Sequence, residues 1–412
     1  MSTRAVIHVG VVLAFGVFVA ASLGPAAARC AEPDTVTLPQ VLPYKETGEA
    51  PLEYLGPGRE IPEPEVEEVV LGWFGPGDPD DPTGGDFWRG AILALEELNE
   101  KGGHQGRPFR LVSGWSSNPW GTGVVQVTRM VFDRGAWAIL GAIDGAAAHL
   151  AEQVALKARV TLVSSGSTDE TAHMASVPWM FSCLPSDRAQ APVLAGVLTK
   201  AAAGGPFAIA AAAEHDAHAA LVELRRALSA RRLTPATLLE FDPRGGDLGP
   251  LAARLLTSRP EAIVVLAPAE AAARLVVALR GRGFEGALIG GPTLALNAFA
   301  RRAGESAEGV VVPLLWKPSA EWDSFARVYE NRWREPPDHA AAWSYDAVHL
   351  AADAVRRAGL NRVRIRDAVR ALAPRPGVAG TVRWNALGQN EGPVGLAAWA
   401  RGRLRPLTGE GR

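Results

Sequence analysis

From residue 66 onward, short apolar runs alternate with segments whose apolar residues recur every three or four positions. "EEVVLGWFG" (67–75) is a brief apolar run bounded by acids and glycine, as a buried strand requires. "FWRGAILALEELNEKG" (87–102) follows with helical spacing and stops at glycine. The alternation continues with strands at 107–115, 136–143 and 160–165, and with helices at 121–135 and 145–159. It restarts after "TKAAAGG" (199–205): strands at 206–214, 234–242, 261–268 and 286–291 are separated by helices at 216–233, 248–260 and 269–284. Two long helices (319–336 and 339–359) and a hairpin-like "GTVRWNALGQN" (380–390) complete the chain. A strand followed by a helix, repeated across short turns, predicts parallel sheets with helices on both faces. Two such series predict an α/β protein of two similar lobes.

Residues 32–66 break this rhythm. They are rich in Pro and Glu and read as an extended leader, 29–65. Before them, Arg4, an apolar run and "PAAARC" form a secretory signal pattern, with cleavage after Ala28 at Ala26-Ala27-Ala28. The alternative is an uncleaved membrane anchor, since the run approaches the ~20 residues of a span. Lipid anchoring at Cys30 is disfavoured, because Arg29 stands where a small residue is needed. The expected location is therefore the periplasm, or the exterior after secretion. The only other cysteine, Cys183, is too distant in sequence to predict a bridge. At 412 residues, 48% hydrophobic and with a formal charge of −2, the chain is long enough for two cores, and no basic stripe invites nucleic acid.

In open parallel sheets, ligands bind beyond the carboxyl ends of the strands, so the turns there carry the candidate chemistry. "LGAIDGAAAH" sets Asp144 and Gly145 at a helix start, where free N–H groups suit a carboxylate. Asp144 reads equally as the cap of that helix; facing a cleft, it would favour a cationic or hydroxyl-bearing ligand. "SSGSTDETAH" supplies Ser164, Ser165, Ser167 and Thr168 around Gly166, suited to an amino acid or to a turn that satisfies itself. Trp73, Trp88 and Trp120 are core residues or cleft walls. The acids of the first loop (73–88) lack calcium-loop spacing. In the second series, His215, Asp216 and His218 open a helix. His-x-x-His needs a third ligand that no segment obviously supplies, so no metal and no cofactor are expected. Asp216 and His218 are expected to face the cleft, and Glu270 is a cap or a contact.

"GDFWRGAILALEELNEKGGHQGRPFRLV", "AWAILGAIDG", "VTLVSSGSTDET", "WMFSCLPSDRAQAPVLAGVL", "GESAEGVVVP", "YDAVHLAADAVRRAG" and "VAGTVRWNALGQN" together resemble the type I periplasmic binding proteins. They are similar in particular to the leucine/isoleucine/valine-binding branch of ABC importer substrate-binding proteins. The resemblance runs from about 66 to 410. It implies two Rossmann-like lobes joined by three hinge crossovers, near 200–205, 313–318 and 372–380. Lobe 1 would then be 66–202 with 316–374, and lobe 2 would be 203–315 with 375–412. It implies a monomer that closes on a small-molecule ligand and presents the closed form to an ABC permease and ATPase in the membrane.

The family's amino-acid-holding positions fall on Gly145, Gly166 and Thr168, with Gly145 replacing a hydroxyl residue. Its packing aromatic falls near Thr83. Its second-lobe aromatics fall on Asp216 and on Pro268 or Ala269, and its ammonium-pairing acid on Pro292 or Thr293. Half of the amino-acid pattern is thus absent, and a branched-chain ligand does not follow. The expected function is solute binding without catalysis; a sensing or accessory module of a receptor system is the alternative. An enzyme would need paired carboxylates, G-x-S-x-G or H-E-x-x-H, which the sequence lacks.

Overall fold

A computed structural model describes residues 53–116 and 119–407. The expected signal segment and Cys30 lie outside the described residues. Among those described, no helix is long and apolar enough to cross a membrane. The chain opens with β1 (Val69–Phe74), α1 (Gly85–Glu100), β2 (Phe109–Gly114), α2 (Pro119–Phe132), β3 (Ala138–Gly141), α3 (Gly145–Ala158), β4 (Thr161–Ser164) and β5 (Met180–Ser182). These strands form one parallel sheet in the order β2-β1-β3-β4-β5. Its register aligns Phe74, Gly141, Ser164 and Ser182 across four strands, so the turns after them share one edge.

The chain then forms α4 (Asp187–Ala202), β6 (Phe207–Ala212), α5 (His215–Ala230), β7 (Thr237–Phe241), α6 (Gly249–Leu256), β8 (Ala262–Leu266), α7 (Ala269–Gly281), β9 (Ala287–Gly290), α8 (Asn297–Ala303) and β10 (Val311–Leu314). It returns through α9 (Ala320–Trp333), α10 (His339–Ala358), α11 (Arg362–Leu372), the small pair β11 (Arg375–Pro376) and β12 (Thr381–Val382), and ends in β13 (Gly395–Ala400) and β14 (Arg403–Pro406). The second sheet runs β14-β13-β10-β9-β8-β6-β7; the β13–β14 hairpin joins it antiparallel at β10.

Two main cores follow from this order, and a smaller cluster around Phe74, Met130 and Trp179 lies with α2 and α3. The first gathers Trp73, Leu98, Phe181, Tyr329, Trp343 and Val355 under α1, α9, α10 and α11. A fully buried side chain such as Leu98 contributes about 1.5–3 kcal/mol. α1 and α10 cross closely because Gly90 carries no side chain: a Cβ there would run into the Ala341 backbone carbonyl. The second core is built from β6, β8, β9 and the helices around them. α4, expected in the first lobe, instead lends Ala191, Leu194 and Leu198 to this second core. The chain therefore leaves the first sheet between β5 and α4. It returns at Leu315, which lies in the first core. Residues 379–390 also stay with the first lobe: Trp384 packs on Phe181 at 4.6 Å, and the Ser182 N–H donates to the Gly388 carbonyl at 3.0 Å. The last crossing thus lies just before β13, later than 372–380.

The described part of the leader has no helix or strand, yet it is docked. Tyr54 packs on Trp179 at 4.8 Å, Asn361 Nδ2 donates to the Gly58 and Ile61 carbonyls at 2.8 and 2.9 Å, and Arg59 pairs with Asp367 at 2.7 Å.

Candidate functional site: two helix N-termini facing across the lobes

α3 begins where β3 ends, at the aligned strand edge. Asp144 caps it, accepting from the Ala147 N–H at 2.6 Å. The Gly145 N–H is left for something else, and Asp216 takes it: the carboxylate accepts at 2.9 and 3.1 Å through its two oxygens. A side chain at 145 would strike that carboxylate and crowd the Asp169 Cβ at 3.0 Å. Asp216 stands in the first turn of α5, which Glu214 caps by accepting from the N–H groups of Asp216 and Ala217 at 3.0 and 2.7 Å. The positive ends of one helix from each lobe therefore converge on a single carboxylate. Burial raises the Asp216 carboxyl well above its usual range, and the charges of Asp144 and Glu214 raise it further. Burial likewise moves Asp144 to about 6, against the pull of its bond from Ala147.

A second cross-lobe contact lies beside the first. Asp169 is buried and caps a 3-10 turn (Glu170–His173), its Oδ1 accepting from the Thr171 N–H and Oγ1–H, both at 2.8 Å. Its Oδ2 meets His149 Nε2 of α3 at 3.0 Å and His215 Nε2 of α5 at 2.7 Å. Burial alone would raise Asp169; the hydrogen bonds from His149, His215 and Thr171 outweigh it and hold the carboxyl well below its usual range. The same bond raises His149. Trp120 sets its ring edge-on to His215 at 5.8 Å. His149, Asp169 and His215 together bring three potential metal-ligating atoms within 4.8 Å of one another.

The "SSGSTDET" turn spends most of its hydroxyls on itself. Ser164 Oγ donates to the Ala142 carbonyl at 2.9 Å and accepts from the Ser167 N–H at 3.1 Å. Ser344 of α10 donates to Ser165 Oγ at 3.1 Å, and Ser167 Oγ accepts from the Asp169 N–H at 3.3 Å. Gly166 is partly exposed between them. Thr168 turns toward α4: its carbonyl accepts from the Asp187 N–H at 2.8 Å and its hydroxyl bonds the Asp187 carboxyl, which burial raises.

The structure thus brings together Asp144, Gly145 and Asp216, with Ser165, Gly166, Ser167 and Thr168 in the adjoining turn. Three expected residues stand apart. Thr83 lies in an exposed turn held by Asp81 at 2.9 Å. His218 is exposed, with its Nε2 3.3 Å from Glu240, so the His-x-x-His pairing does not assemble. Glu270 is exposed in the first turn of α7. Nothing in the sequence patterns above singles out His149, Asp169 or Asp187. A signal existed for the first, which sits four residues after Gly145 and so on the same helix face. Two small cavities, one by Thr168 and Ser186 and one by Asp187 and Gln190, hold no more than about one water each. The lobes are drawn together around their own side chains.

A family model for periplasmic binding proteins matches residues 75–403. The chain belongs to the periplasmic binding protein family. Solved structures share this periplasmic binding protein fold. The branched-chain amino acid transporter substrate-binding protein LivJ from Streptococcus pneumoniae, in complex with isoleucine, is 21% identical with a TM-score of 0.76, over 82% of this chain and 97% of that one. An ABC transporter substrate-binding protein from Desulfitobacterium hafniense, in complex with leucine, is 24% identical with a TM-score of 0.69, over 83% and 100%. A solute-binding protein from R. palustris, in complex with benzoate, is 16% identical with a TM-score of 0.74, over 82% and 95%. No curated protein matches by sequence.

Proposed function

We propose that this periplasmic binding protein is the extracytoplasmic solute receptor of an ABC importer, working as a monomer without catalysis. It takes a small polar or amino-acid-like ligand between its lobes. Secretion by the N-terminal signal would deliver it to the compartment where a membrane permease can read its closed form. The observation that carries the reading is the Gly145–Asp216 contact, in which a helix N-terminus of one lobe is met by a carboxylate from the other. An N–H aimed across a cleft is what a ligand carboxylate uses. Here the protein supplies the carboxylate itself, so a ligand must part this contact to enter. An amino-acid-like ligand can replace both halves: its carboxylate goes to Gly145 and its ammonium to Asp216 and Asp144. A ligand without a positive or hydroxyl group would leave those acids facing each other unpaired.

The test is thermal unfolding of the secreted chain across a panel of amino acids, polyamines and aromatic carboxylates. A true ligand at a hundredfold excess over its Kd stabilises by about 2.7 kcal/mol. Asp216→Ala should abolish the shift for ammonium-bearing ligands and spare that for simple carboxylates. No shift across the panel, with nothing co-purifying by native mass spectrometry, would sink the proposal.

A further inference from the structure

We infer that His149, Asp169 and His215 form a binding site for a divalent transition metal of the zinc class, which staples one lobe to the other. The three donors come from three separate elements: α3, the turn after β4, and α5. Two of these belong to the first lobe and one to the second. Both imidazoles point Nε2 at the same carboxylate oxygen, at 3.0 and 2.7 Å, and all three donor atoms lie within 4.8 Å. Zinc holds nitrogen and oxygen at about 2.0–2.2 Å, so ligand atoms around a tetrahedral ion sit about 3.3 Å apart. Two of the separations, 3.0 and 2.7 Å, need to open by about 0.3 and 0.6 Å, and the third, between the two imidazole nitrogens, lies within 4.8 Å. Imidazole with carboxylate is the donor set of zinc, copper or nickel, and not of calcium or magnesium.

Two further observations point the same way. Asp169 is already oriented: Thr171 holds its other oxygen with two hydrogen bonds at 2.8 Å, as outer-shell partners do for ligating carboxylates. Beside His149, about one turn on along α3, Glu152 is buried with Oε1 lacking a hydrogen-bond partner. It is an unclaimed carboxylate next to a proposed ligand, able to balance the charge of an ion or to accept from the imidazole. With three protein donors, the ion keeps a fourth position for water or another donor. The site stands whichever solute the protein carries, because none of its three ligands is among the residues assigned above to the solute.

The experiment is a Zn2+ titration of the full secreted chain, prepared without a polyhistidine tag and stripped with chelator, against a chromophoric competitor. Wild type should bind one ion per chain. His215→Ala and His149→Ala should each weaken binding by about a hundredfold or more, and Thr171→Val by about 10–100-fold, as loss of an outer-shell partner does. His218→Ala, which removes a histidine outside the site, should leave affinity unchanged. Small-angle scattering should show Zn2+ reducing the radius of gyration of wild type and leaving His215→Ala unaltered. Circular dichroism confirms that each variant is folded. Absence of stoichiometric Zn2+ binding by wild type, or equal affinity in wild type and both folded histidine variants, would overturn the inference.

Discussion

The two lobes share a layout and differ in what fills them. Lobe 1 is packed with large rings: Trp73, Trp179, Tyr329, Phe74, Phe109 and Phe181 are among its fully buried side chains. Lobe 2 holds fewer rings, Phe207, Phe241, Phe284, Phe299 and Trp399, among a larger share of alanines. β6 reads FAIAAA, and Ala252, Ala262, Ala272 and Ala273 lie at its centre. Polarity divides the same way. Among the described residues, the buried polar and charged side chains belong to lobe 1 except Asp187 and Gln190, both on α4 at the edge of lobe 2. His173 is typical: its Nδ1 donates to the Leu387 carbonyl at 2.8 Å, and its Nε2 accepts from Ser182 Oγ at 2.6 Å. Lobe 1 is thus held in one arrangement by directional bonds. Lobe 2 relies on close packing, in which small residues bring helix and sheet near to each other.

The contrast can be broken by mutation, and the largest effect is expected in lobe 1. Trp179→Ala removes a fully buried ring that also seats Tyr54. It should cost about 3–5 kcal/mol in urea unfolding; a loss below about 1 kcal/mol would show that the rings are not what holds this lobe.

Next comes acid. Burial lowers His173 to about 4, against its bond to Leu387. The folded protein therefore refuses a proton that the unfolded chain accepts below about 6.5. The stabilisation is complete above that value, declines as pH falls, and is gone at about 4, a loss of about 3 kcal/mol. Burial raises Asp86 and Asp346 to about 6, which acts in the opposite sense, so a difference must be measured. Between about pH 7 and pH 4, wild type should lose about 3 kcal/mol more than His173→Gln; parallel pH profiles would remove the histidine from the account.

A smaller effect tests lobe 2 by insertion. Ala211 is fully buried in β6, and Ala211→Leu should cost about 1–3 kcal/mol by overpacking. A neutral result would mean that lobe 2 has slack that its small residues do not suggest.

The smallest effect compares the facing helix caps. Asp144→Ala and Glu214→Ala each remove a side chain that accepts backbone N–H bonds, and each should cost about 1 kcal/mol by thermal unfolding. Unequal costs would show that one lobe bears more of the strain of bringing these acids together.

Much of the fold was legible along the chain. Apart from β5, the strands from Val69 to Leu266 sit where apolar runs predict them, and α3 and α5 begin at the expected turns. α4 was harder to read. Pro192 interrupts its pattern, and its burial against lobe 2 owes nothing to its neighbours in sequence. β13 was hidden because an antiparallel strand added at the sheet's end carries alternating, partly exposed residues and no following helix. At the site, Asp144 and Gly145 announced a helix start. The fates of Ser165 and Ser167 were undecided, because a hydroxyl suited to a ligand is equally suited to a turn.

By itself, then, the sequence determined the two-lobe α/β layout and the turns at the strand ends, since both arise from periodicity and capping within a few residues. Tertiary structure decided what those turns face. Gly145 and Asp216 are 71 positions apart, and Asp169 and His215 are 46 apart. No local pattern relates them. They meet because two separate sheets present their carboxyl edges to each other, and that placement turns an acid and a histidine at the start of α5 into partners of the first lobe.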